Sequence, residues 1–186
     1  MAIALLAFAG IVGALIVWII VMYNGLVALR NQVKNAWSQI DVQLKRRHDL
    51  IPNLVETARG YMSHERDTLE NVTKARNLAV NANGVGDQAK AENQLTQAMS
   101  QFYVVMENYP DLKANENFLS LQEELTSTEN KISFARQYYN DETMRFNTQI
   151  EQFPSNIVAG MFNFTQAEFF EIEVAEERAV PKVSFS

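Results

Sequence analysis

Few side chains in this sequence have the type and spacing that acid–base, nucleophilic or metal chemistry requires. The chain has no cysteine, which excludes thiol nucleophiles and thiolate metal sites. His48 and His64 are too far apart in sequence to form the i, i+4 pair that holds zinc on one helix face, and no HExxH motif occurs. We therefore predict no catalytic residue, no cofactor-binding residue and no metal ligand.

Paired carboxylates and glycines give no better candidates. Glu123 and Glu124 are adjacent, and the side chains of helical neighbours point about 100° apart instead of facing one another. Gly84 and Gly86 are not followed by the Gly-Lys-Ser/Thr of a phosphate-binding loop. The net charge of −6 offers no general attraction for nucleic acid. We therefore expect a protein that is not an enzyme and does not bind nucleic acid.

A basic cluster, Lys45-Arg46-Arg47-His48-Asp49, is the strongest remaining candidate for a binding site. Three consecutive cations could bind anionic lipid, but about 30 Å of straight helix would separate them from the apolar N-terminal stretch, which exceeds a Debye length. Lys45 can instead form ion pairs with Asp41 and Asp49, one helical turn away on either side. We favour such pairs, together with ion pairs between subunits. Contact of these cations with lipid is the alternative.

The N-terminal stretch MAIALLAFAGIVGALIVWIIVMYNG, from Met1 to Gly25, contains no charged side chain. About twenty apolar residues in a helix cover about 30 Å, the hydrocarbon thickness of a bilayer. A signal peptide would instead have a basic start, a shorter apolar core and a small-x-small cleavage site. We therefore predict a transmembrane signal-anchor helix at residues 1–24, with Trp18 and Tyr23 at the membrane interface.

Positive charge follows this helix and is absent from the side chains before it. Arg30 and Lys34 come soon after the apolar stretch. By the positive-inside rule, the N-terminus lies outside and the body of the protein lies in the cytoplasm. A long soluble domain can cross a membrane regardless of a few charges, so a periplasmic body is the alternative.

Apolar residues recur every three or four positions through most of the remaining chain, as on one face of a helix. The pattern predicts long helices at about 25–80, 87–109 and 113–153, with Asp87 as the cap of the second. The first contains Pro52, which lacks the amide that would bond to the carbonyl four residues earlier. We expect a kink at which Asp49 caps a restarted helix, so that Pro52 falls in its first turn. The bend serves assembly or, alternatively, is a surface kink without function.

These narrow apolar faces predict an all-α fold in which the transmembrane helix continues into an antiparallel coiled-coil-like bundle of long helices at residues 25–153. The bundle closes within one chain or between copies. Residues 154–186 form a short segment that is too aromatic for a solvated tail. There, Thr165 and Glu168 fit a capping box for a short helix ending near Arg178, and the last residues have an extended pattern.

Several blocks of this sequence resemble the LemA family of bacterial single-pass membrane proteins. They are YNGLVALRNQVKNAWSQIDVQLKRRHDLIPNLVETARGY, TLENVTKAR, and the C-terminal PSNIVAGMFNF with VPKVSF. The resemblance implies an anchor in the bacterial cytoplasmic (inner) membrane, a long-helix bundle outside the bilayer and no established enzymatic activity. Genes of this family commonly accompany HtpX-type membrane proteases, which points to an adaptor role.

From these features we expect a membrane-anchored scaffold or assembly protein that acts by homo-oligomerisation and partner binding. The alternative is a regulatory adaptor of a membrane protease or an envelope sensor. The expected partners are further copies of the chain, the lipid bilayer through residues 1–24 and, in the adaptor alternative, a membrane protease. The residues assigned to assembly are Trp37, Arg46, Arg47, Asn53, Phe162, Phe164, Phe169, Phe170 and Phe185.

The anchor can be tested by membrane extraction. We expect the full-length protein to stay in the membrane pellet after washes with alkaline carbonate or high salt, because about twenty buried apolar residues hold a chain far more strongly than peripheral electrostatics. The measurement is an immunoblot of the pellet and the supernatant. Recovery of a soluble protein that begins near Asn24 would show that the stretch is a cleaved signal peptide.

Overall fold

The computed structural model describes residues 1–171, and every regular element in that part of the chain is an α-helix. The all-α class predicted from the sequence is therefore confirmed. The helices are α1 (Ala2–Arg59), α2 (Arg66–Val80), α3 (Val85–Met106), α4 (Pro110–Lys113), α5 (Glu116–Glu151) and α6 (Ser155–Met161).

The chain divides into two compact units. Unit 1 comprises Met1–Ile40 and Ala135–Glu168, and unit 2 comprises Asp41–Phe134 and, of the described residues after unit 1, 169–171. Helices α1 and α5 each contribute residues to both units.

Unit 1 contains the charge-free beginning of α1. Its side chains up to Val17 are exposed, and α1 is long and apolar enough, by length and composition, to cross a membrane. Farther along, α1 buries Leu26, Val33 and Ala36, a spacing that keeps one face of the helix inward. Leu26 packs with Val158 and Ala159 of α6, so a small apolar core joins these two helices.

Unit 2 is built around one larger apolar core, to which α1 to α5 all contribute. The short connection at residues 81–84 turns α3 back along α2, and the Gln88 side chain donates a hydrogen bond to the Ala79 carbonyl at 3.0 Å. Phe102 of α3 meets Phe118 of α5, with ring centroids 6.3 Å apart. Among the fully buried core residues are Leu54, Met62, Leu95, Phe102, Leu112 and Phe118.

The long helix predicted at about 25–80 is interrupted. Helix α1 ends at Arg59 and α2 begins at Arg66. The amides of Tyr61 and Met62 both donate to the Ala58 carbonyl. These bonds end α1 one residue after Ala58. Met62, which lies in the turn, is nevertheless fully buried. The apolar residues therefore keep their helical spacing across the break, and the sequence pattern does not show where the helix ends.

The start of α3 also differs from the prediction. The N-cap is Gly84, whose φ of 84° is a backbone conformation that favours glycine. Asp87, which the sequence suggested as the cap, lies in the first turn of the helix instead. A carboxylate there still interacts favourably with the unpaired amides of the helix start.

Pro52 does not restart a helix. It lies inside α1, so Asp49 is an internal helical residue and not an N-cap, contrary to the prediction. The carbonyl that the missing amide would have bonded belongs to His48. That carbonyl accepts a hydrogen bond from Arg76 Nε of α2 at 3.0 Å. A side chain from a neighbouring helix therefore replaces the backbone donor that proline lacks.

The segment after α6 is not helical as far as it is described. Residues 164–171 lie outside any helix, so the helix predicted from the Thr165 and Glu168 capping box does not form there. Side chains of α5 hold this segment instead: Asn147 exchanges two hydrogen bonds with the backbone of Ala167, and the Tyr139 hydroxyl donates to the Glu168 carbonyl at 2.7 Å. The predicted extended end lies outside the described residues.

A double-mutant cycle tests the replacement of the missing amide by Arg76. We expect Arg76→Met to cost about 1 kcal/mol of unfolding free energy, because it leaves the His48 carbonyl without a donor. In the Pro52→Ala background the new amide can bond that carbonyl, and the same change should cost much less. The measurement is urea unfolding of the detergent-solubilised full-length protein, followed by helical circular dichroism.

Lys74→Met is the matched control, since Lys74 lies on the same helix in an exposed pair with Glu70. Its cost should be small and the same in both backgrounds. Equal costs of Arg76→Met with proline or alanine at position 52 would contradict the proposed coupling.

Candidate functional site

A buried ion pair lies at the centre of unit 2. Arg47 of α1 is 2% exposed and Glu92 of α3 is 1% exposed. Arg47 Nη1 donates to Glu92 Oε2 at 2.9 Å, and Arg47 Nε lies 2.8 Å from Oε1 of Glu129 on α5. Arg47 Nη2 donates to the Thr96 hydroxyl at 3.1 Å. One guanidinium thus binds side chains of two other helices, as its planar fork of donors allows.

The second oxygen of Glu92 is occupied as well. His48 Nε2 lies 2.7 Å from Glu92 Oε1, and Gln88 Nε2 donates to the same oxygen at 2.9 Å. An ionised carboxylate only accepts hydrogen bonds, so His48 Nε2 must carry the proton of this contact. Both oxygens of a nearly inaccessible carboxylate are therefore satisfied within the chain.

Burial and nearby charges raise the pKa of two neighbouring groups. Burial raises the pKa of Glu129, Arg47 opposes that rise, and the nearby Glu92 adds to it. Burial also raises the pKa of the Tyr103 hydroxyl, with a further contribution from Glu129 and an opposing one from Arg47. Two carboxylates share one arginine here: the buried Glu92 at 2.9 Å and the more exposed Glu129 at 2.8 Å.

This cluster supplies little that could do chemistry. His48 opens onto a groove of about 250 Å³. The groove is lined by Asp41, Leu44, Lys45, His48, Asp49, Arg76, Ala79, Val80 and Gln88. None of these residues is a serine, threonine or cysteine nucleophile. Within residues 1–171, no group of three or more histidine, aspartate or glutamate side chains could hold a metal ion. The charged contacts of the cluster join α1, α3 and α5.

The basic cluster forms its ion pairs between helices. Arg46 pairs with Glu124 of α5 at 2.6 Å on the surface, and Arg47 pairs in the interior. The expected pairs of Lys45 with Asp41 and Asp49 do not form within the described residues. Interhelical pairing prevails because α3 and α5 bring carboxylates next to the two arginines.

A second cluster, in unit 1, brings together aromatic residues from both ends of the chain. The Tyr23 ring lies 4.7 Å from that of Phe162 and 5.8 Å from that of Phe164, measured between centroids. The Arg30 guanidinium lies 5.1 Å from the centroid of Phe164. Trp18 packs against the small core that α6 forms with α1. Residues predicted for the membrane interface and for assembly are thus in contact.

The other residues assigned to assembly are dispersed. The Trp37 ring lies 5.5 Å from that of Tyr139, Phe170 is fully buried, and Phe169 is partly exposed. Asn53 and Pro52 are exposed on α1. Phe185 lies outside the described residues.

Sequence reasoning missed the partners of Arg47, although the spacing contained a signal. Arg47 lies three residues after Leu44 and four before Ile51, both of which are buried. Arg47 therefore occupies a core position on the same helical face. Glu92 similarly precedes the buried Leu95 by three residues. Opposite charges at core positions of two predicted helices indicate a buried pair.

Comparison with known proteins gives consistent matches. The model of the LemA family matches residues 36–185. Protein LemA of Metamycoplasma hominis is 27% identical, and the match covers 82% of this chain and 70% of that protein. Magnetosome protein MamQ 2 of Paramagnetospirillum magneticum is 22% identical and MamQ of Magnetospirillum gryphiswaldense is 20% identical, each over 90% of this chain and 71% of the relative.

Substitutions at the two glutamates that pair with adjacent arginines should differ in cost. We expect Glu92→Gln to lower the unfolding free energy by about 3 kcal/mol, because it leaves Arg47 and His48 buried beside a neutral amide. Glu124→Gln removes the surface partner of Arg46 and should cost less than about 1 kcal/mol. Both are measured by urea unfolding under the same conditions. Similar losses for the two variants would show that the buried pair has no special weight.

Proposed function

Because the chain belongs to the LemA family, we propose that it is a membrane-anchored helical scaffold protein that acts by homo-oligomerisation and partner binding and catalyses no reaction. This family is not a known enzyme family. None of the names of the reported relatives denotes a reaction, and two of those relatives are magnetosome proteins by name. Membership therefore favours assembly over catalysis.

The observation that carries the proposal is the continuity of α1. Its first part exposes large apolar side chains, including Ile3, Leu6 and Phe8, with no charged residue before Arg30. The same helix then supplies Arg47 and Leu54 to the interior of unit 2. An apolar surface of this length is stable in a bilayer and not in water. We place the anchor in the bacterial inner membrane, with the body in the cytoplasm.

The body has the features of a scaffold. Its central charges are neutralised within the chain, and we propose that its helices form an antiparallel coiled-coil-like bundle. Large apolar side chains remain exposed on it: Phe134 of α5 is 73% exposed, and Val42 of α1 is 62% exposed. Covering the Phe134 ring would remove apolar area from water, and we propose that another copy of the chain covers it.

The residues assigned to assembly differ in how accessible their side chains are to a partner. Arg47 is committed to Glu92 and Glu129, so it supports assembly only by holding its own helices in place. Asn53, Phe162 and Phe169 keep accessible side chains and remain candidates for contacts with partners.

The mass of the detergent-solubilised full-length protein tests this function. We expect discrete homo-oligomers by light scattering coupled to gel filtration, well above the 21.1 kDa of one chain. Phe134→Ser should shift the mass toward that of one chain, because the variant lacks the apolar ring that another copy would bury.

Lys131→Ser, an exposed change one turn earlier on α5, is the control and should leave the mass unchanged. A monomer that co-purifies with a membrane protease would refute the scaffold function and support the adaptor alternative. Oligomers that are insensitive to Phe134→Ser would refute the proposed role of that ring while leaving self-association intact.

A further inference from the structure

Helix α6 packs against the C-terminal part of the charge-free stretch of α1. Val158 and Ala159 of α6 are fully buried with Leu26, and Trp18 and Tyr23 pack around them. From residue 18 to residue 26 the helix axis advances about 12 Å. A bilayer crossed by that stretch would have its boundary between hydrocarbon and headgroups in this region, at the depth of α6.

The outward face of α6 is largely apolar. Ile157 is 50% exposed, Met161 one turn later is 60% exposed, and Phe162, just after the helix, is also exposed. The sequence from 153 to 167 contains no charged residue, and Asn156 is the one exposed polar side chain of α6. A water-facing surface helix would carry charged or polar residues over most of its outer face.

We propose that α6 is a second membrane-contacting element, which lies in the bilayer interface beside α1 with Ile157, Met161 and Phe162 directed to the acyl chains. This inference rests on the membrane anchoring of the proposed function. The occupant of the apolar face is lipid, because the face continues the charge-free surface of α1 at the same depth. Amphipathic helices bury such faces at the boundary between headgroups and acyl chains.

Several polar groups at the ends of α6 are satisfied within the chain, which lowers the cost of a lipid environment. At its start, the buried Ser155 hydroxyl donates to the Gln149 carbonyl at 2.6 Å. At its end, the Phe162 amide donates to the Val158 carbonyl at 3.1 Å, and the Phe164 amide donates to the Ala159 carbonyl at 2.9 Å. These groups therefore need little water when α6 enters the interface.

The aromatic cluster of unit 1 marks the outer limit of this element. Arg30 is the first charged side chain of the chain, and its guanidinium lies over the Phe164 ring. A long basic side chain of this kind keeps its charge near the headgroups while its stem covers apolar surface. Tyr23 contacts the same ring, as expected for an aromatic residue at the membrane–water boundary.

Spin labels can measure the surroundings of α6, because the chain has no native cysteine. Single cysteines are introduced at Leu15, Ile157, Met161 and Val104, and each labelled full-length protein is reconstituted into vesicles of phosphatidylethanolamine and phosphatidylglycerol. All four side chains are exposed in the structure, so labelling disturbs no core. The readout is the accessibility of each label to oxygen, which partitions into lipid, and to a water-soluble nickel chelate.

We expect the ratio of oxygen to nickel accessibility at 157 and 161 to be several-fold higher than at 104 and to approach that at 15. If label 15 reports lipid but labels 157 and 161 resemble label 104, the inference about α6 is wrong and the anchor stands. If label 15 itself reports water, the membrane anchoring fails. Labels at 157 and 161 that are protected from both reagents and broadened by a second label would show that another copy covers α6, which also overturns the lipid assignment.

Discussion

The pairing of Arg47 with Glu92 constrains how the helices of unit 2 can pack. Each side chain occupies a core position of its helix, where water cannot solvate its charge. A shift of α3 by one turn, about 5.4 Å, would separate the two charges, so that the buried Glu92 would lose Arg47 and Arg47 would keep only Glu129 of α5 as a carboxylate partner. Glu129 and Thr96 extend the same constraint to the rest of the guanidinium. The apolar core supplies most of the burial, and this pair selects the register in which that burial occurs.

His48 connects this pair with the proline of α1. Its side chain contacts Glu92 of α3, and its carbonyl, which has no amide partner because of Pro52, accepts from Arg76 of α2. One residue therefore links α1 to two neighbouring helices through different groups. A proline in a helix leaves a carbonyl without its backbone donor, and here that carbonyl becomes a binding point between helices. The proline has a packing role on its own chain, independent of any bend.

Unit 1 combines apolar surface with a sharp onset of charge. Unit 1 contains three apolar features: the charge-free part of α1, the exposed face of α6 and the cluster of Tyr23, Phe162 and Phe164. Arg30, the first charged side chain, lies over the Phe164 ring of that cluster. Unit 2 instead satisfies its charges internally. These properties fit a membrane-associated helical protein.

Apolar periodicity and the absence of charge determined the helical class and the apolar N-terminal span, because those depend on local pattern alone. The LemA resemblance rests on particular blocks of the sequence. The same reasoning could not locate the break after Arg59, since Met62 is buried within the turn and keeps the spacing. It also assigned Asp49 and Asp87 as caps, although the first lies inside α1 and Gly84 occupies the cap of α3. Only the tertiary structure decided that Arg47 meets Glu92, that Arg76 bonds the His48 carbonyl and that α6 lies on Trp18. These contacts join residues far apart in the sequence, and no local preference specifies which distant carboxylate, carbonyl or ring will be the partner.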